Sequence, residues 1–205
     1  MLKTADGRLF VVSGSSRCGK TTKVWRDSRG FATVFYWDIE AQFCKQQSIK
    51  KISNINELID IVKKGIKGKF AYVPIKEDLK GQFEIVCACV MHYGSHFGQC
   101  AFVAEELADV TTTAKAPPSW GMLIRRGLKR SITIYAISQR WAEADKTALG
   151  NATDFYLFRM ASGDDMRYMA QKTRVPVSRM EELKPLEYIH YNALTGETKG
   201  SKITF

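Results

Sequence analysis

The residues from Gly14 to Thr22 have the types and spacing that hold a phosphate: Gly14-Ser15-Ser16-Arg17-Cys18-Gly19-Lys20-Thr21 fits G-x-x-x-x-G-K-[ST] at every position. A chance match somewhere in ~200 residues is on the order of one per cent. The spacing has a physical cause. Successive backbone N–H groups can point at one phosphate only if the chain curls tightly and approaches the ligand closely, which favours glycine. A helix opening at Lys20 adds the partial positive charge of its N-terminus. Lys20 then brings a full charge to the β- and γ-phosphates, the Thr21 hydroxyl suits a Mg²⁺ ion, and Thr22 is placed for the α-phosphate. Ser15, Ser16, Arg17 and Cys18 enter the cradle through their backbone, and the Cys18 thiol is not read as a nucleophile.

Hydrolysis of a bound nucleoside triphosphate such as ATP needs a carboxylate near the metal's water shell and a second group that orients or deprotonates the attacking water. Ala101-Phe102-Val103-Ala104-Glu105-Glu106 is an apolar run ending in two carboxylates. Glu105 is assigned to the magnesium side and Glu106 to the base. The bland alternative is a carboxylate pair at a helix start, favoured by the dipole. A small-molecule kinase gains nothing from a water-activating base, so the second glutamate favours hydrolysis. Ile132 to Ser138 is another apolar run, and Gln139 at its end could sense the γ-phosphate or position water. On its own it would be an ordinary loop residue. Arg125-Arg126-Gly127-Leu128-Lys129-Arg130 precedes that run. It reads as a solvated helix end, a DNA contact, or an arginine, Arg126 or Arg130, reaching a neighbouring subunit's nucleotide. The last use requires a ring or at least a dimer.

These residues need elements to position them. Leu9–Ser13 and the run 32–37 read as buried strands, with a helix over Lys20–Ser28 between them, a βαβ unit. Ile55, Leu58, Ile59 and Val62 recur at helical spacing after Asn54, a suitable N-cap, and the lysine-rich segment 63–69 ends that helix. A strand over 70–75, a helix over 78–92, and the strand Cys100–Ala104 continue the alternation. Pro117-Pro118 opens a helix through Leu128, followed by a strand over 131–138, a strand over 155–159 and a helix over 164–172. Tyr188–Asn192 and the run 199–205 flank Thr195-Gly196 and predict an antiparallel hairpin occupying about residues 186–205. The expectation is one α/β domain over residues 1–205, with a mainly parallel sheet.

Composition bounds the partners. The chain has 205 residues, 45% hydrophobic and 25% charged, which excludes a wholly disordered protein. Its 31 lysines and arginines against 21 acidic residues give a formal charge of +10, which attracts a polyanion such as nucleic acid, although a basic surface also serves solubility. Cys18, Cys44, Cys87, Cys89 and Cys100 form no CxxC pair and match no histidine spacing, so neither a zinc site nor a disulfide framework is expected. No segment approaches the length of a membrane span or has the build of a signal peptide, and the expected location is the reducing cytoplasm.

Taken together, the G-x-x-x-x-G-K-T loop, the apolar strand ending Glu105-Glu106, the arginine-rich helix end and the strand ending Ser138-Gln139-Arg140 resemble the HerA and FtsK superfamily of DNA-pumping ATPases. They look most like the small genome-packaging ATPases of tailless, membrane-containing double-jelly-roll viruses. The resemblance covers about residues 8–160. It implies a RecA-like P-loop core that hydrolyses ATP with Mg²⁺, a hexameric ring, and translocation of double-stranded DNA without sequence specificity. In a virus this would take place in the host cytoplasm or on the virion, with capsid or membrane-vertex proteins as partners. The resemblance maps the family's sensor glutamine to Gln139 and its trans arginine into the segment 125–130. The family's second motif usually ends Asp-Glu, where this chain has Glu105-Glu106, and Asp38 stands where an acidic residue is common. If DNA threads a ring, the pore candidates are Lys63, Lys64, Lys67, Lys69, Arg125, Arg126, Lys129 and Arg130. A small nucleoside or nucleotide kinase and a slow nucleotide-regulated DNA-binding protein are the competing readings.

Overall fold

A computed structural model describes residues 6–204. The ends of the expected domain, including Phe205 in the expected last strand, lie outside the described residues. In chain order, β1 (Leu9–Ser13) leads through the glycine loop to α1 (Lys20–Ser28), and β2 (Val34–Trp37) follows. After a 3₁₀ turn at Phe43–Lys45 come β3 (Lys50–Ile52), α2 (Ile55–Lys63), β4 (Lys69–Tyr72), α3 (Leu79–Phe97) and β5 (Cys100–Ala104). Next are α4 (Leu107–Val110), α5 (Pro118–Arg126), a 3₁₀ turn at Leu128–Arg130, β6 (Ile132–Ser138), α6 (Lys146–Asn151) and β7 (Asp154–Phe158). The chain finishes with α7 (Gly163–Thr173), α8 (Val177–Glu181), β8 (Glu187–Asn192) and β9 (Thr198–Lys202).

The nine strands form one sheet in the order β3-β4-β2-β5-β6-β1-β7-β8-β9. β1 to β7 run parallel, and β8 and β9 add an antiparallel hairpin on the β7 side. β1, β5, β6 and β7 are buried along their whole length, which is why they read as continuous apolar runs and not as alternating patterns. Side chains alternate between two cores. Leu9 and Val11 join the larger one with Phe83, Val90 and Trp120 of α3 and α5, while Phe10 and Val12 join Val24 of α1 and Phe158 on the opposite face. Helices therefore cover both faces, as parallel strands require.

Local signals place the helices. Asn54 caps α2, its side chain accepting from the Asn56 N–H at 2.9 Å, and Asp78 and Ser162 cap α3 and α7 in the same way. Two expected boundaries shift. The helix read to end near residue 92 continues through His92-Tyr93 to Phe97, because Gly94 sits where a side chain would collide with Ile132 at 2.4 Å and so serves packing. The helix expected to run through Leu128 ends at Arg126 and tightens into the 3₁₀ turn that feeds β6.

A buried carboxylate ties the N-terminal ends of β1 and β7 to the C-terminal half of β8. Asp154 is fully buried and accepts from the Arg8 guanidinium, from His190 Nε2 at 2.7 Å and from the Thr153 hydroxyl at 2.8 Å. Burial alone would raise its pKa. The bonds from His190, Thr153 and Arg8 outweigh that and hold it below the usual carboxylate range.

Candidate functional site

In a parallel sheet, everything that follows a strand emerges at one edge and everything that precedes it at the other. The carboxyl edge collects the loop after β1, Asp38 after β2, Glu105-Glu106 after β5 and Gln139 after β6. The loop, the two glutamates and Gln139 border a cavity of about 560 Å³, lined by Ser16, Arg17, Gly19, Lys20, Thr21 and Thr22 on the loop side and by Glu105, Glu106 and Gln139 opposite. That is within the size range of small-molecule sites.

The loop has the conformation its glycines anticipate. Gly19 has φ 108°, in the left-handed half of backbone space, and a Cβ there would lie 2.8 Å from Ile203 Cδ1. A Cβ on Gly14 would lie 2.6 Å from Phe158 Cβ and 2.9 Å from Cys18 Sγ. Both positions exclude a side chain. Lys20 is only 8% exposed, and its Nζ donates to the Gly14 and Ser15 carbonyls at 2.7 Å each and more weakly to Cys18 Sγ at 3.9 Å. Burial lowers the Lys20 pKa, against the charges of Cys18, Glu106 and Glu105, which favour the ammonium. Cys18 is buried, and desolvation raises its pKa despite nearby Lys20. The loop is anchored to the neighbouring strand end: Ser15 N donates to Arg159 O at 2.9 Å, and Ser15 Oγ accepts from Ala161 N at 2.8 Å.

β6 lies between β1 and β5, so Gln139 emerges between the phosphate loop and the two glutamates. Glu105 points at the loop: Thr21 Oγ1 donates to Glu105 Oε1 at 3.5 Å. Its other oxygen, Oε2, is buried with no hydrogen-bond partner. Burial, together with Asp38, Glu106 and Glu40, pushes the Glu105 carboxyl up to about 8, against the pull of Lys20. A buried acceptor without a donor, next to a threonine hydroxyl and other carboxylates, suits a hard cation, which would supply the missing partner and favour the ionised form. Magnesium fits these residues.

Glu106 faces β6. Its Oε1 accepts from the Ser138 hydroxyl and from the Gln139 backbone N–H at 3.3 Å each, and its Oε2 accepts from Gln139 Nε2 at 3.2 Å. Its backbone is left-handed, with φ 46°, a conformation that persists only where surrounding contacts hold it. Glu106 and Gln139, chosen from the sequence for separate reasons, thus form one hydrogen-bonded unit, with Ser138 as a third member that sequence reasoning missed.

Two further residues had no part assigned to them from the sequence. Asp38 is fully buried and accepts from three backbone N–H groups, Gln42 at 2.8 Å and Phe43 at 3.1 Å on Oδ1 and Cys44 at 2.8 Å on Oδ2. It shapes the loop that carries Glu40 and Gln42 to the cavity wall. The available signal was the Asp-x-x-x-Gln run after a strand, a carboxylate placed to bind its own following turn. Leu186, far along the chain from the other lining residues, also reaches the cavity.

Arg126 and Arg130 are not brought to this site. They precede β6 and are exposed at the amino edge of the sheet, so the seven residues of β6, roughly 20 Å at ~3.3 Å each, separate them from Gln139. Arg130 Nη1 donates to the Arg126 carbonyl at 3.2 Å. Lys63, Lys64 and Lys67 precede β4, Lys69 opens it, and all four stand at the same amino edge, three strand positions away. Chain order held the signal: residues that precede a parallel strand cannot share an edge with those that follow it.

A glycine loop between a central parallel strand and a helix, a buried lysine at the helix start and paired carboxylates two strands away give the chain the RecA-like P-loop NTPase fold. Comparison with known proteins places it more closely. No protein-family model matches the sequence. The chain is 26% identical over 185 residues to Protein P9 of Pseudoalteromonas phage PM2, covering 88% of this chain and 83% of that protein. It superposes on the genome packaging NTPase B204 of Sulfolobus turreted icosahedral virus 2, solved with AMPPCP, with a TM-score of 0.77 and 12% identity over 97% of this chain and 98% of that one. The bacterial conjugative coupling protein TrwB matches with a TM-score of 0.66 and 9% identity, covering 98% and 85% of the two chains. The resemblance to viral genome-packaging ATPases read from the motifs therefore holds in fold. No helix among the described residues is long and apolar enough to cross a membrane.

Proposed function

We propose that this protein is an ATP-hydrolysing motor that moves double-stranded DNA, in the setting of viral genome packaging. The observation that carries the reading is the Glu106 unit: a carboxylate held by Ser138 and Gln139 at the end of the cavity where Thr21 meets Glu105. In this reading the loop N–H groups and Lys20 bind the phosphates, and Thr21 and Glu105 would hold a magnesium ion. When bound, that ion neutralises charge on the phosphate oxygens. Glu106 accepts the proton of the water that attacks the γ-phosphorus, Gln139 orients that water, and ADP and phosphate are the products. The fold likeness to a genome packaging NTPase and a formal charge of +10 support the coupling to DNA.

In this reading Arg126 or Arg130 would act in trans, which requires a ring or at least a dimer. An arginine at the amino edge has no route to its own subunit's γ-phosphate, so a role in hydrolysis falls to it only across a subunit boundary. The same edge gathers the lysines of segment 63–69, a charged surface fit for DNA phosphates and blind to sequence. A homo-oligomer, hexameric by resemblance, acting in the host cytoplasm or at the virion with capsid or membrane-vertex partners, completes the proposal.

The test is phosphate release from ATP by the full chain, with and without magnesium and duplex DNA. The proposal expects metal-dependent release that duplex DNA accelerates irrespective of sequence. Transfer of the phosphoryl group to a nucleoside acceptor with little release to water would replace it with a kinase. Slow turnover indifferent to DNA length and ends would replace it with a nucleotide-regulated DNA-binding protein.

A further inference from the structure

The cavity has two chemically different ends. On the β5–β6 flank of the phosphate loop stand Thr21, Glu105, Glu106 and Gln139, all polar. On the β7–β8 flank the loop backbone is bonded to the C-terminal segment, Leu186 N donating to Cys18 O at 3.2 Å and Ile203 N to Leu186 O at 2.9 Å. These bonds hold Leu186 at φ 69°, a left-handed backbone that a leucine adopts only where its surroundings impose it. Measured from a Cβ built at Gly19, Ile203 Cδ1 lies at 2.8 Å and Leu186 Cδ2 at 3.1 Å, so the base of the hairpin presses directly on the phosphate loop. Among the described residues, Leu186 and Ile137 supply the only large apolar side chains of the cavity lining. Ile137 is 1% exposed, whereas Leu186 is half-buried and available for contact.

A nucleoside triphosphate has the same polarity as this cavity. Its γ-phosphate must face the water-activating group, and a planar, largely apolar base forms its other end. With the γ end fixed on the β5–β6 flank, the base falls on the β7–β8 flank, where an apolar face removes ring surface from water. We infer that Leu186 is the nucleobase platform of this site, presented by the C-terminal hairpin that braces the loop through Gly19. The inference rests on the nucleotide reading above and extends it to the part of the ligand that the phosphate-binding motif does not address. Because Leu186 offers an aliphatic face and no hydrogen-bonding group, it supports any purine and does not choose between adenine and guanine.

The experiment is calorimetric titration of the full chain with ATP, GTP, ADP and inorganic tripolyphosphate, comparing the wild type with Leu186→Ala and Leu186→Met. The Ala variant is expected to weaken ATP, GTP and ADP by about tenfold each while leaving tripolyphosphate unchanged, and the Met variant, which keeps an apolar face, to bind nearly as the wild type. Equal weakening of ATP and tripolyphosphate would reduce Leu186 to a brace for the loop, and undiminished ATP binding would remove it from the site. Either result overturns the platform and leaves the nucleotide reading standing. A wild-type chain that binds neither ATP nor tripolyphosphate would overturn that reading and the platform with it.

Discussion

Ser138 shows what a single residue can do here without touching substrate. Its hydroxyl donates to the Glu106 carboxylate and accepts from the Arg140 N–H at 3.3 Å, so it fixes where the proposed base points. Ser138→Ala is expected to lower kcat about tenfold with KM little changed, since a neutral bond to a carboxylate is worth about 1.5 kcal/mol; a steady-state assay checks the split. Gly19 is a different case. Alanine there must adopt φ 108° against Ile203, and a cost of about 1–3 kcal/mol in chemical unfolding is expected, with weaker nucleotide binding. The phosphate loop was legible because its chemistry is local: eight consecutive residues carry both the glycines and the lysine. Ser138 and Leu186 were not, because each acquires its part from a neighbour brought in by the sheet; Asp38 stood out as an acidic residue at a strand end, but its part, accepting from the N–H groups of its own following turn, did not. Glu106 illustrates the boundary, since its type and place could be read, while the partners that aim it could not.

At the scale of elements, the strands of the parallel core declared themselves as apolar runs, and Leu9–Ser13, Lys20–Ser28 and Cys100–Ala104 stand as expected. Short pieces escaped. β3 and α4 are three and four residues long, too brief for a periodicity, and α8 follows Pro176 with only five. The C-terminal hairpin could be read from Thr195-Gly196, but not that β8 would pair with β7 and carry Leu186 to the phosphate loop. The Asp154 cluster joins this hairpin to β1 and β7. Its folded carboxyl titrates below the unfolded value of about 3.9. The stability it supplies is therefore complete above about pH 4 and lost as pH falls through the folded pKa. Asp154→Asn should cost about 2 kcal/mol in urea unfolding at pH 7, less than a fully enclosed pair because Arg8 and His190 reach solvent. The gap between variant and wild type should narrow below about pH 4. A gap that stays constant down to the acid transition would mean that the carboxylate's charge contributes nothing.

At the scale of the whole molecule, the sheet divides function between its two edges. The carboxyl edge holds the nucleotide cavity, and the amino edge holds the arginines and lysines of segments 125–130 and 63–69. This division was implicit in chain order once the strands were parallel, and it turns the arginine question into one about neighbours. If Arg126 or Arg130 serves an adjacent subunit, its alanine variant should depress the activity of mixed assemblies by more than its share, whereas linear dilution would remove that role. Neutralising the lysines at 63, 64 and 67 should weaken duplex DNA binding equally across sequences and flatten its salt dependence by about one logarithmic unit per lost phosphate contact, read from binding at several salt concentrations. All of this depends on whether the cavity hydrolyses ATP through the group held at the end of β6. The direct measurement is phosphate release by Glu106→Gln alongside its ATP affinity. The predicted result is affinity within about twofold of wild type and release lowered by about 10²-fold or more. Release at the wild-type rate with ATP still bound would contradict it.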